Sequence, residues 1–223
     1  MKKLILFDVN ETLLDMNALD PHFEKVFGRA SFRTLWFATV LQNSLVSTIT
    51  GQYTDFGKSA GASLDMTAQQ NGLVLSDENR SSILGAIRSL PAHPDVAPGL
   101  EKLKSAGFRL FTLTNSPPQV VEAQLNHSGL AGYFEKSFSV DTVRMFKPAA
   151  EVYRMAAREL GVPVGQIRLV AAHDWDVVGA LNAGCAAAFI ARPGKVLNPL
   201  LPQPDIIGQD LVDVAEKIIQ ADA

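Results

Sequence analysis

The chain has 223 residues, of which 47% are hydrophobic and 19% charged, as is ordinary for a globular protein. Twenty basic against 23 acidic residues give a net charge of −3 with no basic run, which argues against a nucleic-acid partner. No apolar run approaches the ~20 residues of a membrane span, Cys185 has no second cysteine to pair with, and the first residues lead into a strand pattern instead of a signal peptide. The sequence therefore predicts a cytoplasmic protein without a membrane partner.

Short apolar runs alternate with helical patterns along most of the chain. The predicted strands are LILF (4–7), FRLFTLT (108–114), FSV (138–140), IRLVAA (167–172) and AAFIA (187–191). Near-continuous apolar strands between helices are typical of a parallel sheet covered on both faces. Gly107, Gly129 and Gly161 fall where helices are expected to end, and Ser116, before two prolines, is a predicted helix N-cap. The predicted fold class is α/β, with a doubly wound, Rossmann-like parallel sheet.

One segment interrupts this alternation. Between Asn17 and Leu90 there is no strand pattern, only helix-like runs such as 31–49 and 76–90, followed by the proline-rich stretch 91–99. We expect a core made of residues 1–16 and 92–223, with a helical cap subdomain, residues 17–91, inserted after the first strand.

Asp8 stands at the end of the first apolar strand, in the stretch LILFDVNETLLD. Ligands of open α/β sheets bind beyond the carboxyl ends of the strands, and the following loop offers backbone N–H groups that could hold an anion. A carboxylate in this position can act as a covalent nucleophile. It can equally cap a turn, and Asp8 alone leaves both interpretations open.

Three later stretches bring further polar residues to predicted strand ends. They are TLTNSPP (112–118) with Thr114 and Asn115, RMFKPAA (144–150) with Lys147 before a predicted helix start at Pro148, and AAHDWDVVGALNAG (171–184) with Asp174 and Asp176. Singly, each has a structural explanation as a strand threonine, a surface lysine or a helix-capping aspartate. Together with Asp8 they favour a functional site.

In chain order, these stretches resemble the four motifs of the haloacid dehalogenase-like hydrolase superfamily. DVNETLLD, which contains Thr12, is similar to the first motif, TLTN to the second, KP followed by Tyr153 to the third, and WDVVGALNAG to the fourth. The resemblance implies catalytic roles for Asp8 as nucleophile, Thr12, Lys147 as a counter-ion that lowers the pKa of Asp8, and Asp176 as a group that orients Lys147 and water or binds a metal. It also implies that Thr114 and Asn115 donate hydrogen bonds to the substrate.

Two positions separate the branches of this superfamily. Asn10 lies where the phosphatases have an acid–base aspartate, and an amide cannot deliver a proton to a leaving alkoxide. Ala172 lies where they have a metal-binding aspartate. TNSPPQ, KPAAEVY and HDWD, with Trp175, are instead similar to the type II 2-haloacid dehalogenases. These enzymes lack the metal, displace halide with the same aspartate and then hydrolyse the resulting ester.

The chain departs from that branch at three positions. Asn10 replaces a tyrosine, His173 an asparagine, and Phe37 the arginine that grips the halide, with Arg33 one helical turn earlier as the nearby substitute. Phe37 and Trp36 could line an apolar pocket or belong to the core. His173 could orient water, shuttle a proton, or be a buried histidine satisfied by backbone. The predicted substrate-binding residues are Val9, Asn10, Arg33, Phe37, Thr114, Asn115, Tyr153, His173 and Trp175.

The sequence thus predicts a hydrolase with an aspartate nucleophile, a metal-independent and cofactor-free 2-haloacid dehalogenase that takes short 2-haloalkanoic acids through an aspartyl ester. The alternative is a Mg²⁺-dependent phosphatase of small phosphorylated metabolites, with Asp8, Asn10, Asp174 and Asp176 as candidate metal ligands. A third hypothesis is a catalytically weak binding protein on this fold. The expected partner is a small-molecule substrate, and the resemblance implies a possible homodimer.

Overall fold

In the computed structural model, which describes residues 4–222, six strands form one parallel sheet. The strands are β1 (Leu4–Phe7), β2 (Leu110–Thr114), β3 (Lys136–Ser139), β4 (Ile167–Ala171), β5 (Ala186–Ile190) and β6 (Ile206–Gly208). Their order across the sheet is β3-β2-β1-β4-β5-β6, and all neighbouring pairs are parallel. Successive strands extend the sheet to one side of β1 and then to the other, so the predicted doubly wound α/β fold is confirmed.

The predicted strands correspond to β1 through β5. β3 begins two residues earlier than predicted, since its first residues are exposed and polar and show no apolar pattern. The prediction missed β6, which has only three residues and is too short to show a periodicity. Residues of β1, β2 and β4 are all buried, as expected for central strands covered on both faces.

Nine α-helices lie within residues 4–222. They are α1 (Asp20–Phe27), α2 (Phe32–Thr50), α3 (Phe56–Gln70), α4 (Asp77–Ala86), α5 (Val96–Ser105), α6 (Pro118–His127), α7 (Ala150–Leu160), α8 (Asp174–Ala183) and α9 (Leu211–Asp222). The first four, called the inserted helices below, follow β1 and precede β2, and the part of the chain that is described has no strand between them. Where the cap begins and ends stays a prediction.

Local signals in the sequence were right at the helix ends and wrong at two helix starts. Gly107, Gly129 and Gly161 have φ values of 82°, 72° and 66°, in the left-handed region that favours glycine, within two residues of the ends of α5, α6 and α7. Ser116 is not an N-cap, because α6 begins at Pro118 and Pro117 occupies the cap position. The helix expected to start at Pro148 begins at Ala150. Both errors come from reading a proline as the first helical residue of its segment.

The inserted helices share an aromatic core of their own. Trp36 of α2 is 2% exposed and donates a hydrogen bond from Nε1 to the carbonyl of Ala60 in α3 at 2.9 Å. Its ring also packs against Phe23 of α1, with centroids 5.3 Å apart. Burying an aromatic side chain of this kind contributes about 1.5–3 kcal/mol to the stability of the fold.

Among residues 4–222, no helix is long and apolar enough to cross a bilayer.

Candidate active site

The carboxyl ends of the parallel strands bring the sequence-predicted residues to one edge of the sheet. Asp8 directly follows β1, Asn115 directly follows β2, and Asp176 lies in the first turn of α8, just beyond β4. Lys147 arrives by the segment that connects β3 to α7. The order of the strands, with β1 between β2 and β4, therefore places the nucleophile candidate at the centre of the group.

Lys147 joins the two key carboxylates. Its Nζ lies 2.7 Å from Asp8 Oδ1 and 2.7 Å from Asp176 Oδ2, and it donates a third hydrogen bond to the Leu113 carbonyl at 3.0 Å. The side chain is 0% exposed. An ammonium has three N–H donors, so all three are used and the group is fixed in position.

The two oxygens of Asp8 have different surroundings. Oδ2 accepts a 2.6 Å hydrogen bond from the Thr12 hydroxyl and lies 3.1 Å from His173 Nδ1, whereas Oδ1 contacts only Lys147 among the hydrogen-bond donors of the described residues. The Thr12 oxygen also accepts a hydrogen bond from the Ala172 backbone N–H at 2.9 Å, which ties the β1 loop to the β4 loop. Since a carboxylate oxygen offers about two acceptor sites, Oδ1 keeps one for another atom.

The charges around Asp8 keep it ionised. Burial alone would raise the pKa of its carboxyl, but the Lys147 ammonium and the hydrogen bond with His173 hold that pKa well below its usual range. Burial likewise opposes the charge on Lys147, and Asp176 and Asp8 overcome this and raise the pKa of the ammonium. The site thus contains a buried carboxylate that stays charged at neutral pH.

Asp176 is held from both sides. Lys147 contacts its Oδ2, and the Tyr153 hydroxyl donates to its Oδ1 at 2.5 Å. Burial raises the pKa of Tyr153 well above its ordinary value, so the hydroxyl keeps its proton. This contact depends on the glycine at position 179, because an added Cβ would lie 2.5 Å from the Tyr153 hydroxyl and from the Pro148 side chain. Any larger residue at 179 would force these groups apart.

His173 bridges Asp8 to a residue that sequence reasoning missed. Its Nε2 lies 2.8 Å from Glu11 Oε2, and Glu11 is itself 2.5 Å from Lys195 Nζ and 3.8 Å from Arg33. Burial would lower the pKa of His173, but the hydrogen bonds to Asp8 and Glu11 raise it to about 9, so the ring is a cation at neutral pH. The positive φ of 61° at Glu11 turns its backbone at this point. No pattern in the sequence indicates the pairing, because 162 positions separate the partners.

We expect the stability that His173 contributes to depend on pH. A raised folded-state pKa means that this contribution is present in full below pH ~6.5, the ordinary pKa of the group, and is lost as pH rises through about 9. His173→Asn should therefore reduce the free energy of unfolding by up to about 3 kcal/mol at pH 6, with a smaller loss at pH 10. Urea unfolding at both values measures this. Asp8 and Glu11 stay ionised throughout, since their pKa values are lowered.

A matched control for that measurement is His127→Asn, in an exposed position at the end of α6. Its effect is expected to stay below about 1 kcal/mol at each pH. A deficit of His173→Asn that is equal at pH 6 and pH 10 would contradict the charged state assigned to His173.

The Asn10 side chain takes part in a hydrogen-bonded network separate from that of Asp8. Its Nδ2 donates to the Ser116 hydroxyl at 3.3 Å, and its Oδ1 accepts from Gln124 Nε2 at 2.9 Å. The Ser116 carbonyl in turn accepts from the Ser139 hydroxyl at 2.8 Å. Neither Gln124 nor Ser116 was predicted to belong to the site, since a glutamine within a helical run carries no signal of its own.

The other predicted substrate-binding residues near β1 and β2 have fixed conformations. The Asn115 Oδ1 accepts from the Lys147 backbone N–H at 3.0 Å, which directs the amide from the end of β2. The Thr114 hydroxyl accepts from the Ser116 N–H at 3.1 Å. Val9 is fully buried, and its carbonyl accepts from the N–H groups of the turn that follows. Whether these residues contact the substrate stays a prediction.

Phe37 and Arg33 lie one helical turn apart on α2 and have different contacts. The Phe37 ring is 7% exposed and its centroid is 6.2 Å from that of His173, so this side chain borders the site. The Arg33 guanidinium is engaged elsewhere, at 2.5 Å from both Asp20 Oδ1 and Asn17 Oδ1. Arg33 also lies 3.8 Å from Glu11, so it borders the Glu11–His173 pair while Asp20 and Asn17 hold its guanidinium.

Trp175 packs against His173 at the edge of the site. The two rings stack with centroids 4.8 Å apart and an interplanar angle of 24°. Lys147 Nζ lies 5.8 Å from the centroid of the indole. The indole therefore lies beside both of the cations that surround Asp8.

Of the four candidate metal ligands, the structure brings only Asp8 and Asp176 together. Lys147 Nζ is bound between Asp8 and Asp176, Asn10 is directed toward Gln124, and Asp174 lines a second cavity beside His173. Within residues 4–222 there is no group of three or more His, Cys, Asp or Glu side chains placed to hold a metal ion. The residues present do not fit a Mg²⁺ site, because an ammonium already neutralises the two carboxylates.

A cavity of about 380 Å³ opens between the inserted helices and the loops after β1 and β2. Its lining is mostly apolar. The lining residues are Asn10, Met16, Trp36, Phe37, Phe56, Gly57, Ala60, Ser81, Leu84, Gly85, Ile87, Arg88, Ser116, Pro117 and Val120. Asn10, two residues beyond Asp8, places one end of the cavity next to the charged cluster.

Known proteins resemble this chain over nearly its whole length. The sequence profile of the haloacid dehalogenase-like hydrolase family matches residues 2–184. An (S)-2-haloacid dehalogenase from Pseudomonas sp. (strain YL) is 31% identical over 205 residues, which make up 91% of this chain and 88% of the relative. Haloacetate dehalogenase H-2 from Moraxella sp. (strain B) is 29% identical over 209 residues, 92% of this chain and 93% of the relative.

A solved structure agrees with these sequence matches. It is an L-2-haloacid dehalogenase from Xanthobacter autotrophicus with chloropropionic acid covalently bound, and it superposes with a TM-score of 0.92 at 25% identity over 100% of both chains. The resemblance implied by the four sequence motifs is confirmed.

Proposed function

We propose that this chain, which belongs to the haloacid dehalogenase-like hydrolase family, hydrolyses 2-haloacids through an ester formed on Asp8. The observation that carries the proposal is the unequal environment of the Asp8 carboxylate. Its Oδ1 is held ionised by Lys147 with an acceptor site to spare, while its Oδ2 has two donors. One oxygen of Asp8 can therefore attack the substrate, and the other already faces the groups that stabilise the later intermediate.

In the first step, Asp8 Oδ1 attacks C2 of the substrate from the side opposite the halogen. The C–O bond forms as the C–halogen bond breaks, the halide leaves with the electron pair, and the configuration at C2 inverts. The hydrogen bonds of Lys147 to Asp8 and Asp176 fix the direction of attack. The arginine expected to hold the halide is replaced by Phe37, so the positive charge near the site comes from Lys147 and His173.

In the second step, water attacks the Cγ of the Asp8 ester. The negative charge then develops on Oδ2, which faces the Thr12 hydroxyl and the His173 cation. Both donors are in place beforehand, as oxyanion stabilisation requires. Collapse of this intermediate breaks the bond between Cγ and Oδ1, releases the 2-hydroxyacid and returns Asp8 as a carboxylate. Of the two protons of the attacking water, one is transferred to the leaving alkoxide oxygen, which becomes the product hydroxyl, and the other passes to solvent.

The proposal is that this reaction needs no metal or other cofactor. Lys147 supplies between Asp8 and Asp176 the positive charge that Mg²⁺ supplies in phosphoryl transfer. At position 10, where the phosphatases have an acid–base aspartate, this chain has an asparagine, which cannot protonate a leaving alkoxide. We also extend the proposal to a core of residues 1–16 and 92–223 with a cap of residues 17–91, to a homodimer, and to action in the cytoplasm.

The proposed function is tested by assaying (S)-2-chloropropionate and a set of small phosphoesters, each with and without EDTA. Chloride release that is the same in both buffers, with no phosphate release, is the expected result. Phosphate release that EDTA abolishes would favour the phosphatase alternative. No turnover of either class would favour the binding-protein hypothesis.

A further inference from the structure

The cavity beneath the inserted helices is much larger than a short haloacid needs. Its volume is about 380 Å³, within the range of ~300–1,000 Å³ seen for pockets that hold drug-sized ligands. The halogen, C2 and carboxylate of a substrate would occupy only the end beside Asn10 and Ser116. The remaining volume extends between α2, α3 and α4.

The walls of this remaining volume are apolar. Side chains from the inserted helices line it, among them Trp36, Phe37, Phe56 and Leu84, and Val120 of α6 faces them. Each methylene group of a ligand that packs against such a surface is removed from water, and this makes binding more favourable.

The polar side chains at the inner end of the cavity leave a donor for the carboxylate of the substrate. Asn10 donates one N–H to the Ser116 hydroxyl and accepts from Gln124, and an amide has a second N–H donor. Arg88 also lines the cavity, and it is exposed. An arginine in that position covers apolar surface with its stem and keeps its charge in water.

Resting on the proposed function, we propose that the preferred substrates are 2-haloacids with a long apolar substituent at C2, which fills the cavity between the inserted helices. The Asp8 chemistry is the same for every chain length, and selectivity arises from the cavity. Each methylene buried contributes about a threefold to fourfold gain in kcat/KM.

The wild-type protein is assayed with 2-bromopropionate, 2-bromobutyrate, 2-bromohexanoate and 2-bromooctanoate, by bromide release. We expect kcat/KM to rise by at least about 10-fold from bromopropionate to bromohexanoate. A value that is flat or falls along the series overturns the inference while leaving the proposed function intact. No bromide release from any member would instead overturn the proposed function.

Gly85→Leu adds an apolar side chain at the wall of the cavity without a clash at the point of substitution. Gly85 lines the cavity from α4, and a Cβ added there meets no atom within 4 Å. This variant should lose the gain for bromohexanoate, by about 10-fold or more, and keep its rate with bromopropionate within about threefold. The matched control is Gly132→Leu, an exposed position with equal space that lies outside the cavity, and it should retain the wild-type series.

A binding measurement separates selectivity from chemistry. 2-Hydroxyoctanoate, which has the form of a product, should raise the melting temperature of the wild-type protein more than lactate does at equal concentration. Gly85→Leu should remove that difference and Gly132→Leu should keep it. Equal stabilisation of the wild-type protein by the two hydroxyacids would overturn the inference.

Discussion

Asp8→Asn is expected to reduce haloacid turnover by on the order of 10⁴-fold or more. The substitution is nearly isosteric, so the Thr12 contact has a partner of the same shape, but the amide has no negative charge with which to form an ester. Lys147 keeps Asp176 as a counter-ion, and the fold should therefore persist. Halide release measured with excess enzyme, together with the far-ultraviolet circular dichroism spectrum, checks both parts of the expectation.

Asp174→Asn is the control that distinguishes covalent catalysis from metal chemistry. Asp174 is half-buried and lines the second cavity, beside His173. If Asp8 acts as a nucleophile, turnover should change by less than about threefold in the Asp174 variant. Parallel losses in both variants would point to a shared ligand role, and near-normal turnover by Asp8→Asn would rule out the ester mechanism.

Lys147→Met is expected to abolish measurable activity and to reduce the free energy of unfolding by about 3–5 kcal/mol at neutral pH. The methionine has a similar volume but no charge, so it leaves Asp8 and Asp176 buried without the ammonium that now lies 2.7 Å from each. Repulsion between the carboxylates would also disturb the direction of attack. Urea unfolding and halide release measure the two effects.

The stability of this variant should depend on pH in a defined direction. Asp176, buried and left without its cation, would have a folded-state pKa above its ordinary value, as its burial already favours. A raised carboxyl pKa means that stability increases as pH falls, so the deficit against wild type should shrink between pH 8 and pH 5. Lys136→Met, which breaks the exposed ion pair with Glu159, is the control and should cost less than about 1 kcal/mol at every pH. A pH-independent deficit would contradict the role given to Lys147.

Much of the fold follows from patterns that are local in the sequence. The apolar runs that became β1, β2 and β4 are buried on both faces, and burial on both faces is the physical reason that a strand shows no alternation. The grouping of Asp8, Lys147 and Asp176 could also be anticipated, because their stretches follow strands whose carboxyl ends meet. The three-residue strand β6 could not be predicted, since its contacts with β5 and α9 decide its conformation.

The features that tune the site are less visible in the sequence. Glu11 acts on His173 across 162 positions, and Gln124 acts on Asn10 across 114, so only the folded chain shows these pairs. Arg33 illustrates the opposite case. It has the chemistry expected of an anion-binding residue, yet Asp20 and Asn17 engage its guanidinium, and no sequence spacing reveals that competition.

The origin of the oxygen atoms of Asp8 provides the most direct test of the aspartyl-ester mechanism. In water enriched in ¹⁸O, the attacking water donates its oxygen to the Asp8 carboxyl, while the product hydroxyl takes the oxygen that Asp8 previously held. Repeated turnover of (S)-2-chloropropionate should therefore place ¹⁸O in the peptide that contains Asp8, and a single turnover with excess enzyme should give lactate with an unlabelled hydroxyl. An unlabelled Asp8 peptide, with ¹⁸O in the hydroxyl after a single turnover, would show that water displaces the halide directly and would contradict the ester mechanism.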